Sequence, residues 1–247
     1  MTVDIGLFKP EWRGQRLGGR VREGALTPFP ARAEIDRAGL GDTPVLAWLQ
    51  SPVDAFFLHI QGSGRLTLPD GSPLRVGYDS QNGHPYVAIG KTLIARGAIA
   101  REAVSMQSIR EWLAAKPSEA GEVMATHPSY VFFRKLDLPA TALGALGAQA
   151  VQLTPGRSLA VDRKFHALGV PVWLAATVPA AEEGAADKPL RRLMIAQDTG
   201  GAIRGPVRGD VYWGWGKDAE AGAGRMKNEG RIWILLPKAV AARLTAS

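Results

Sequence analysis

The sequence predicts a mainly β protein with a few short helices, large enough for one large or two modest domains. Three observations predict it. The chain has 29 glycines and 17 prolines in 247 residues, so turns are frequent and few long helical patterns fit between them. Short apolar runs bounded by turn residues recur, most densely after residue 150. A hydrophobic content of 46% supplies enough side chains for a core in each domain.

Residues 1–30 read as short extended pieces: Ile5-Gly6-Leu7-Phe8, then Gly18-Gly19-Arg20-Val21, then Ala25-Leu26-Thr27-Pro28. Arg32–Leu40 fits one short helix. Ala55–Gln61 (AFFLHIQ) is apolar enough for a buried strand, paired with Arg65–Leu68. Asp70-Gly71 is a hairpin signal ahead of Pro73–Gly77. Gln81–His84 is a polar loop, and Val87–Arg96 reads as a helix stopped by Gly97. Ser105 is placed to cap a helix over Met106–Ala115, with Met106, Ile109 and Leu113 on one face. A helix over Ser118–Ala125 follows, then a strand over Tyr130–Arg134. From Lys135 to Ala150 the chain is small-residue and nearly uncharged, which reads as a linker or an inter-domain crossing. Strands are expected at Ser158–Asp162, Val172–Leu174, Arg191–Gln197, Asp210–Trp213 and Arg231–Leu236, with a polar loop at Pro179–Pro189. Lys238–Ala246 reads as a terminal helix.

With no cysteine, disulfide frameworks and thiolate chemistry are excluded. No run of 18 apolar residues is present, and the first residues lack the basic and apolar regions of a signal peptide. The net charge of +7 and pI of about 9.9 favour an anionic partner: nucleic acid, an acidic membrane or an acidic cell-wall glycan. The basic residues are scattered, which weakens the nucleic-acid reading.

Leu193–Gly214 carries the densest signal. An apolar run ends on Asp198, a glycine-rich turn with Gly200, Gly201, Gly205 and Gly209 follows, and a second apolar segment opens with Asp210. Two readings stand for this pattern. The acids build a site around a loop whose glycines let a ligand approach the main chain, or they cap a hairpin turn.

Motifs along the chain carry a resemblance. QGSG at Gln61–Gly64, NGHPY at Asn82–Tyr86, SMQSIR at Ser105–Arg110 and HPSYVFF at His127–Phe133 resemble the central domain of the membrane-bound lytic murein transglycosylase A family. LAVDR at Leu159–Arg163, AQDTGGAIRG at Ala196–Gly205, GDVYWGWG at Gly209–Gly216 and AGRM at Ala223–Met226 resemble its three-aspartate (3D) segment. The resemblance runs over nearly the whole chain in the family's order. It implies two β-rich domains flanking a groove: an inserted β-barrel-like domain over residues 1–137 and a double-psi β-barrel part over 138–247. It also implies cleavage of the β-1,4 bond between N-acetylmuramic acid and N-acetylglucosamine in peptidoglycan, leaving a 1,6-anhydromuramic end. The family's further N-terminal segment, with a leader, often a lipidated Cys, and half of the barrel strands, is not found here. The barrel around Asp210 is therefore expected to be incomplete.

The family's three aspartates fall on Asp162, Asp198 and Asp210, and the resemblance makes Asp210 the single catalytic acid. Such an acid needs a raised pKa, which partial burial beside Tyr212 and Trp213 is expected to supply. Asp198 either stabilises positive charge on the sugar or holds the glycine-rich turn, and Asp162 reads as a turn carboxylate. Gln61, Gly62, Ser63, Gly64, His84, Gln107, Tyr130, Gly200, Gly201 and Tyr212 are the candidate substrate-binding residues; for the polar ones, internal hydrogen bonding is the competing role. Asn82 is a further such polar group. His59, His127 and His166 receive no catalytic role. Trp213, Trp215, Tyr130 and Phe132 either stack on sugar faces or fill the core. No cofactor and no metal are expected. The expected partner is the peptidoglycan glycan strand, not nucleic acid, and the chain is expected to be a monomer. The family places the protein in the periplasm at the outer membrane, through a leader or anchor that this sequence does not show. The alternative is an impaired fragment that binds peptidoglycan without cleaving it.

Overall fold

The computed structural model describes the chain outside residues 1, 5–15, 42, 138–143, 181–184, 217–218, 220–222 and 246–247. The expected piece at Ile5–Phe8 and the middle of the Lys135–Ala150 stretch lie outside the described residues. The protein is mainly β with several helices. It divides into two compact units, Met1–Ala140 and Thr141–Ser247.

The first unit holds two three-stranded antiparallel sheets and a helical layer. One sheet is β1 (Thr2–Asp4), β2 (Arg16–Arg22) and β3 (Ala25–Pro28). The other is β4 (Ser63–Thr67), β5 (Pro73–Gln81) and β6 (Val131–Lys135), with β5 central. In the β4–β5 turn an Asp70 oxygen accepts the Ser72 amide at 2.9 Å and the Ser72 hydroxyl at 2.6 Å. The helices are α1 (Arg32–Ala38), α2 (Pro52–Gln61), α3 (Ile89–Ala95), α4 (Met106–Ala115) and α5 (Pro117–Ala125).

Ala55–Gln61 is helix and not the expected strand. Its ends decide the matter. The Ser51 side chain accepts the Asp54 amide, Pro52 occupies the first turn, and Gly62 closes the helix in the left-handed region. Between these caps Val53, Phe56, Phe57 and Ile60 turn towards one apolar cluster with Ile89, Leu93, Leu113, Val123 and Met124. The core of this unit therefore sits among helices. Ser105 caps α4 as expected, in a reciprocal box with Ser108.

The second unit is built on one five-stranded sheet in the order β10-β7-β9-β8-β11, curled as a half-barrel. Its strands are β7 (Ser158–Val161), β8 (Pro171–Val178), β9 (Lys188–Asp198), β10 (Gly209–Val211) and β11 (Gly230–Ile234). Only β7 and β9 run parallel; the other neighbours are antiparallel. Alternation sends Leu159, Val161, Val172, Leu174, Leu190, Met194 and Ala196 into one core, closed by Val211, Trp213 and Ile232. A helix, α6 (Lys238–Thr245), follows. The described end of the expected linker is not a linker. Residues 144–153 close on themselves through a Leu146–Gln152 bridge and fold onto this unit through a bond from the Gln149 amide to the Gln197 carbonyl. Gly147 permits it: a β-carbon there would lie 2.5 Å from the Gln197 carbonyl oxygen. Among the described residues no helix is long and apolar enough to cross a membrane.

Candidate active site

Asp162, Asp198 and Asp210 lie at one end of the second unit's sheet. On β7, Leu159 and Val161 point into the core, so Ala160 between them faces the other way. Ala160 pairs with Asp210 on β10 and with Asp198 on β9. The three residues form one row, with both acids on the face that Ala160 occupies. Two strand spacings separate their backbones, on the order of 10 Å. A bulge creates this alignment. Leu159 pairs with Ala196, but Ala160 pairs with Asp198, so Gln197 is skipped. Without the skip, Gln197 would take the place beside Ala160.

Asp162 ends β7 and is buried. One oxygen accepts the Gly205 amide at 2.8 Å and the other the Lys164 amide at 3.0 Å. These two bonds, Gly205 first, hold its carboxyl below the usual carboxylate range, with smaller help from Arg204 and Lys164. Gly205 sits at φ +104, a conformation that favours glycine. His166, given no role from sequence, fixes the next peptide. Its Nε2 lies 2.6 Å from the Pro206 carbonyl, so the hydrogen is on Nε2 and donates. Asp162 and His166 together brace the loop that joins Asp198 to Asp210.

Asp198 accepts the Ala148 amide at 2.9 Å. Burial pushes its carboxyl up, against the opposing pull of the Thr199 and Ala148 amides. Asp210 is exposed, and not partly buried beside Tyr212 and Trp213 as expected. Its side chain is 46% exposed and bound at both oxygens by Arg208, at 2.6 and 3.1 Å. The reason is the period of two. Trp213, like Val211, packs into the core, so Asp210 points away from it. Tyr212 hydrogen-bonds through its hydroxyl to the Ala145 amide at 3.4 Å. Arg208 stands two residues before Asp210, on the same side of the strand, a spacing visible in the sequence. Gly200 and Gly201 lie in the turn just after β9, and Trp215 is exposed.

The candidate binding residues of the first unit fall in three places. Gln61, Gly62, Ser63 and Gly64 form the junction between α2 and β4. Gln107 lies in the first turn of α4. Asn82, His84 and Tyr130 join a buried network around Arg32. The Asn82 amide nitrogen donates to the carbonyls of Pro30 and Pro128, and its oxygen accepts the Tyr130 amide. His84 Nε2 is 3.0 Å from the Phe29 carbonyl. Arg32 donates to the carbonyls of His127 and Ser129 and lies 5.0 Å from the ring centres of Phe56 and Tyr130. Phe132 packs on Phe29 and Tyr130. His59 Nδ1 accepts the Val131 amide, and burial foremost, with Arg32 and His127, lowers its pKa to about 3. Among the described residues no three acids or histidines gather as a metal ion would need.

Comparison with known proteins bears on both units. The family model described as the MltA specific insert domain matches residues 1–134, and that of the 3D domain matches 157–236. The membrane-bound lytic murein transglycosylase A of Escherichia coli K12 is 40% identical over 211 residues, covering 84% of this chain. The chain spans only 56% of that relative's length. The crystal structure of a membrane-bound lytic murein transglycosylase from Agrobacterium tumefaciens superposes with a TM-score of 0.82 at 41% identity, over 91% of this chain and 61% of that one. An E. coli MltA structure with bound chitohexaose gives a TM-score of 0.72 at 34% identity, over 87% and 67%. Matching both segments in order, with three aspartates braced at one sheet end, the chain belongs to the MltA family of lytic murein transglycosylases.

Proposed function

We propose that this chain acts on peptidoglycan as a lytic transglycosylase, with Asp210 as the group that moves the proton. The observation that carries the reading is the row Asp210–Ala160–Asp198, with the loop between the acids braced by Asp162 and His166. The name of the E. coli relative and the sugar bound to its homologue support the substrate class. Ordinary glycosidases need a second carboxyl to act as base or nucleophile. Here the muramyl C6 hydroxyl replaces it. Asp210 gives its proton to the glycosidic oxygen as the C1–O bond breaks. The C6 oxygen then bonds to C1, and its proton returns to Asp210. No water enters, and the acid ends as it began.

Arg208 is the resting partner of Asp210, so a bound sugar has to displace it. Asp198 remains an anchor of residues 144–153. The site of action is the cell envelope, where the relatives' names place them at a membrane.

The test is release of anhydromuropeptides from purified murein sacculi, identified by mass. The chain should release them, and Asp210→Asn should lower the rate by about 10²–10⁴-fold, the usual contribution of a general acid. Near-unchanged turnover in this variant would remove Asp210 from the chemistry. The Arg208 clamp favours one second reading, a chain that binds peptidoglycan without cleaving it. That reading predicts sacculus binding with no anhydro product.

A further inference from the structure

The face of the second unit's sheet turned away from the core carries, beyond the aspartate row, an aromatic and basic surface that the site above does not use. Trp173 on β8 pairs with Trp233 on β11 and with Leu193 on β9. All three point away from the core, and each is about two-fifths exposed. They form a single row across three strands, spanning roughly 10 Å. The next row on the same face is Arg191–Ala175–Arg231, with both arginines exposed at its ends. Among the described residues neither arginine is in an ion pair. On the other side Pro171 and Leu235 extend the apolar strip, joined by a bond from the Leu235 amide to the Pro171 carbonyl.

Exposed apolar rows of this kind cost solubility and mark contact surfaces. The flanking guanidiniums say which contact. They match carboxylates in planar, paired hydrogen bonds, while the indoles offer flat faces to the C–H side of a sugar ring. We infer that this face is a second binding platform for an anionic glycan strand, separate from the aspartate row. The Trp row would hold sugar rings, and Arg191 and Arg231 would hold carboxylates beside them. The inference rests on the reading of peptidoglycan as substrate. The platform lies on the same face as the aspartate row, displaced along β9 from Asp198 to Leu193, and would keep the chain on an insoluble polymer while the aspartate row engages a neighbouring stretch.

Two double variants test it, Trp173→Thr with Trp233→Thr and Arg191→Glu with Arg231→Glu, each in an Asp210→Asn background so that the polymer survives. Threonine keeps strand propensity, and the arginine pair decides the matter if the tryptophan pair does not fold. Binding to purified sacculi is measured by co-sedimentation, with circular dichroism as the folding check. Each pair should weaken binding about tenfold. Binding within about twofold of the parent in the folded variants overturns the platform. So does parent binding to phosphatidylglycerol vesicles that the same variants lose, which makes the face a membrane contact. So does a parent dimer in sedimentation velocity that the variants dissolve, which makes it a self-association surface. The proposed reaction is judged separately: absence of anhydromuropeptides from the parent with Asp210 intact refutes the chemistry and leaves a variant-sensitive platform standing.

Discussion

The aspartates share a side-chain type and differ in every physical respect. Asp162 receives two amides and is stabilised as a charge, whereas for half-buried Asp198 the loss of water outweighs the amides of Thr199 and Ala148. Asp198 gives the sharper prediction. Its folded-state pKa lies above its ordinary value of 3.8, so the folded protein takes up its proton more readily than the unfolded chain. Ionised Asp198 therefore costs stability at neutral pH, and stability returns as pH falls through the raised pKa towards 3.8. Asp198→Asn keeps an oxygen for the Ala148 amide and removes the charge. Thermal unfolding should show a higher Tm than the parent at pH 7, with the gap narrowing in acid. A lower Tm at pH 7 would mean that the carboxylate's hydrogen bonds outweigh its burial. His59 illustrates the opposite case, a base kept neutral: its depressed pKa means that acid favours the unfolded chain between pH 6.5 and about 3.

At the scale of elements, caps and bulges outweighed composition. AFFLHIQ has strand-like residues, yet Ser51, Pro52 and Gly62 frame it as a helix, and its apolar positions suit a helical core. For α4, by contrast, the sequence was sufficient, because Ser105 and the Met106–Ile109–Leu113 spacing agree. Ser105→Ala removes the acceptor for the Ser108 amide and should cost about 1 kcal/mol in urea unfolding, with Ser105→Asp restoring much of it. The bulge at Gln197 had no legible signal. It arises from pairing β9 with β7, and these strands are separated by some 30 residues of chain.

At the scale of the molecule, the net charge of +7 is spread over the chain. In the second unit some of it is placed beside apolar rows, as at Arg191 and Arg231. Association with anionic sacculi should therefore weaken steadily as sodium chloride rises from about 0.05 to 0.5 M, since screening shortens the reach of exposed charges. Binding insensitive to salt over that range would assign the attraction to apolar contact alone. The division into two units follows the division of cores: one apolar cluster lies among helices before residue 140, the other inside a sheet after it.

The sequence by itself determined the mainly β class, most strand positions in the second unit and the α4 cap, while the three aspartates as a set came from the family resemblance. Each of the first three rests on local chemistry: alternation, turn residues and capping side chains act within a few positions. Only the tertiary structure decided that Asp210 faces solvent against Arg208, that Asp162 is buried while Asp198 is half-buried, and that His166 braces the loop between Asp198 and Asp210. Exposure and partnership are set by which strands become neighbours. Neighbouring strands are chosen by burial summed over the whole sheet, which no short window of sequence contains.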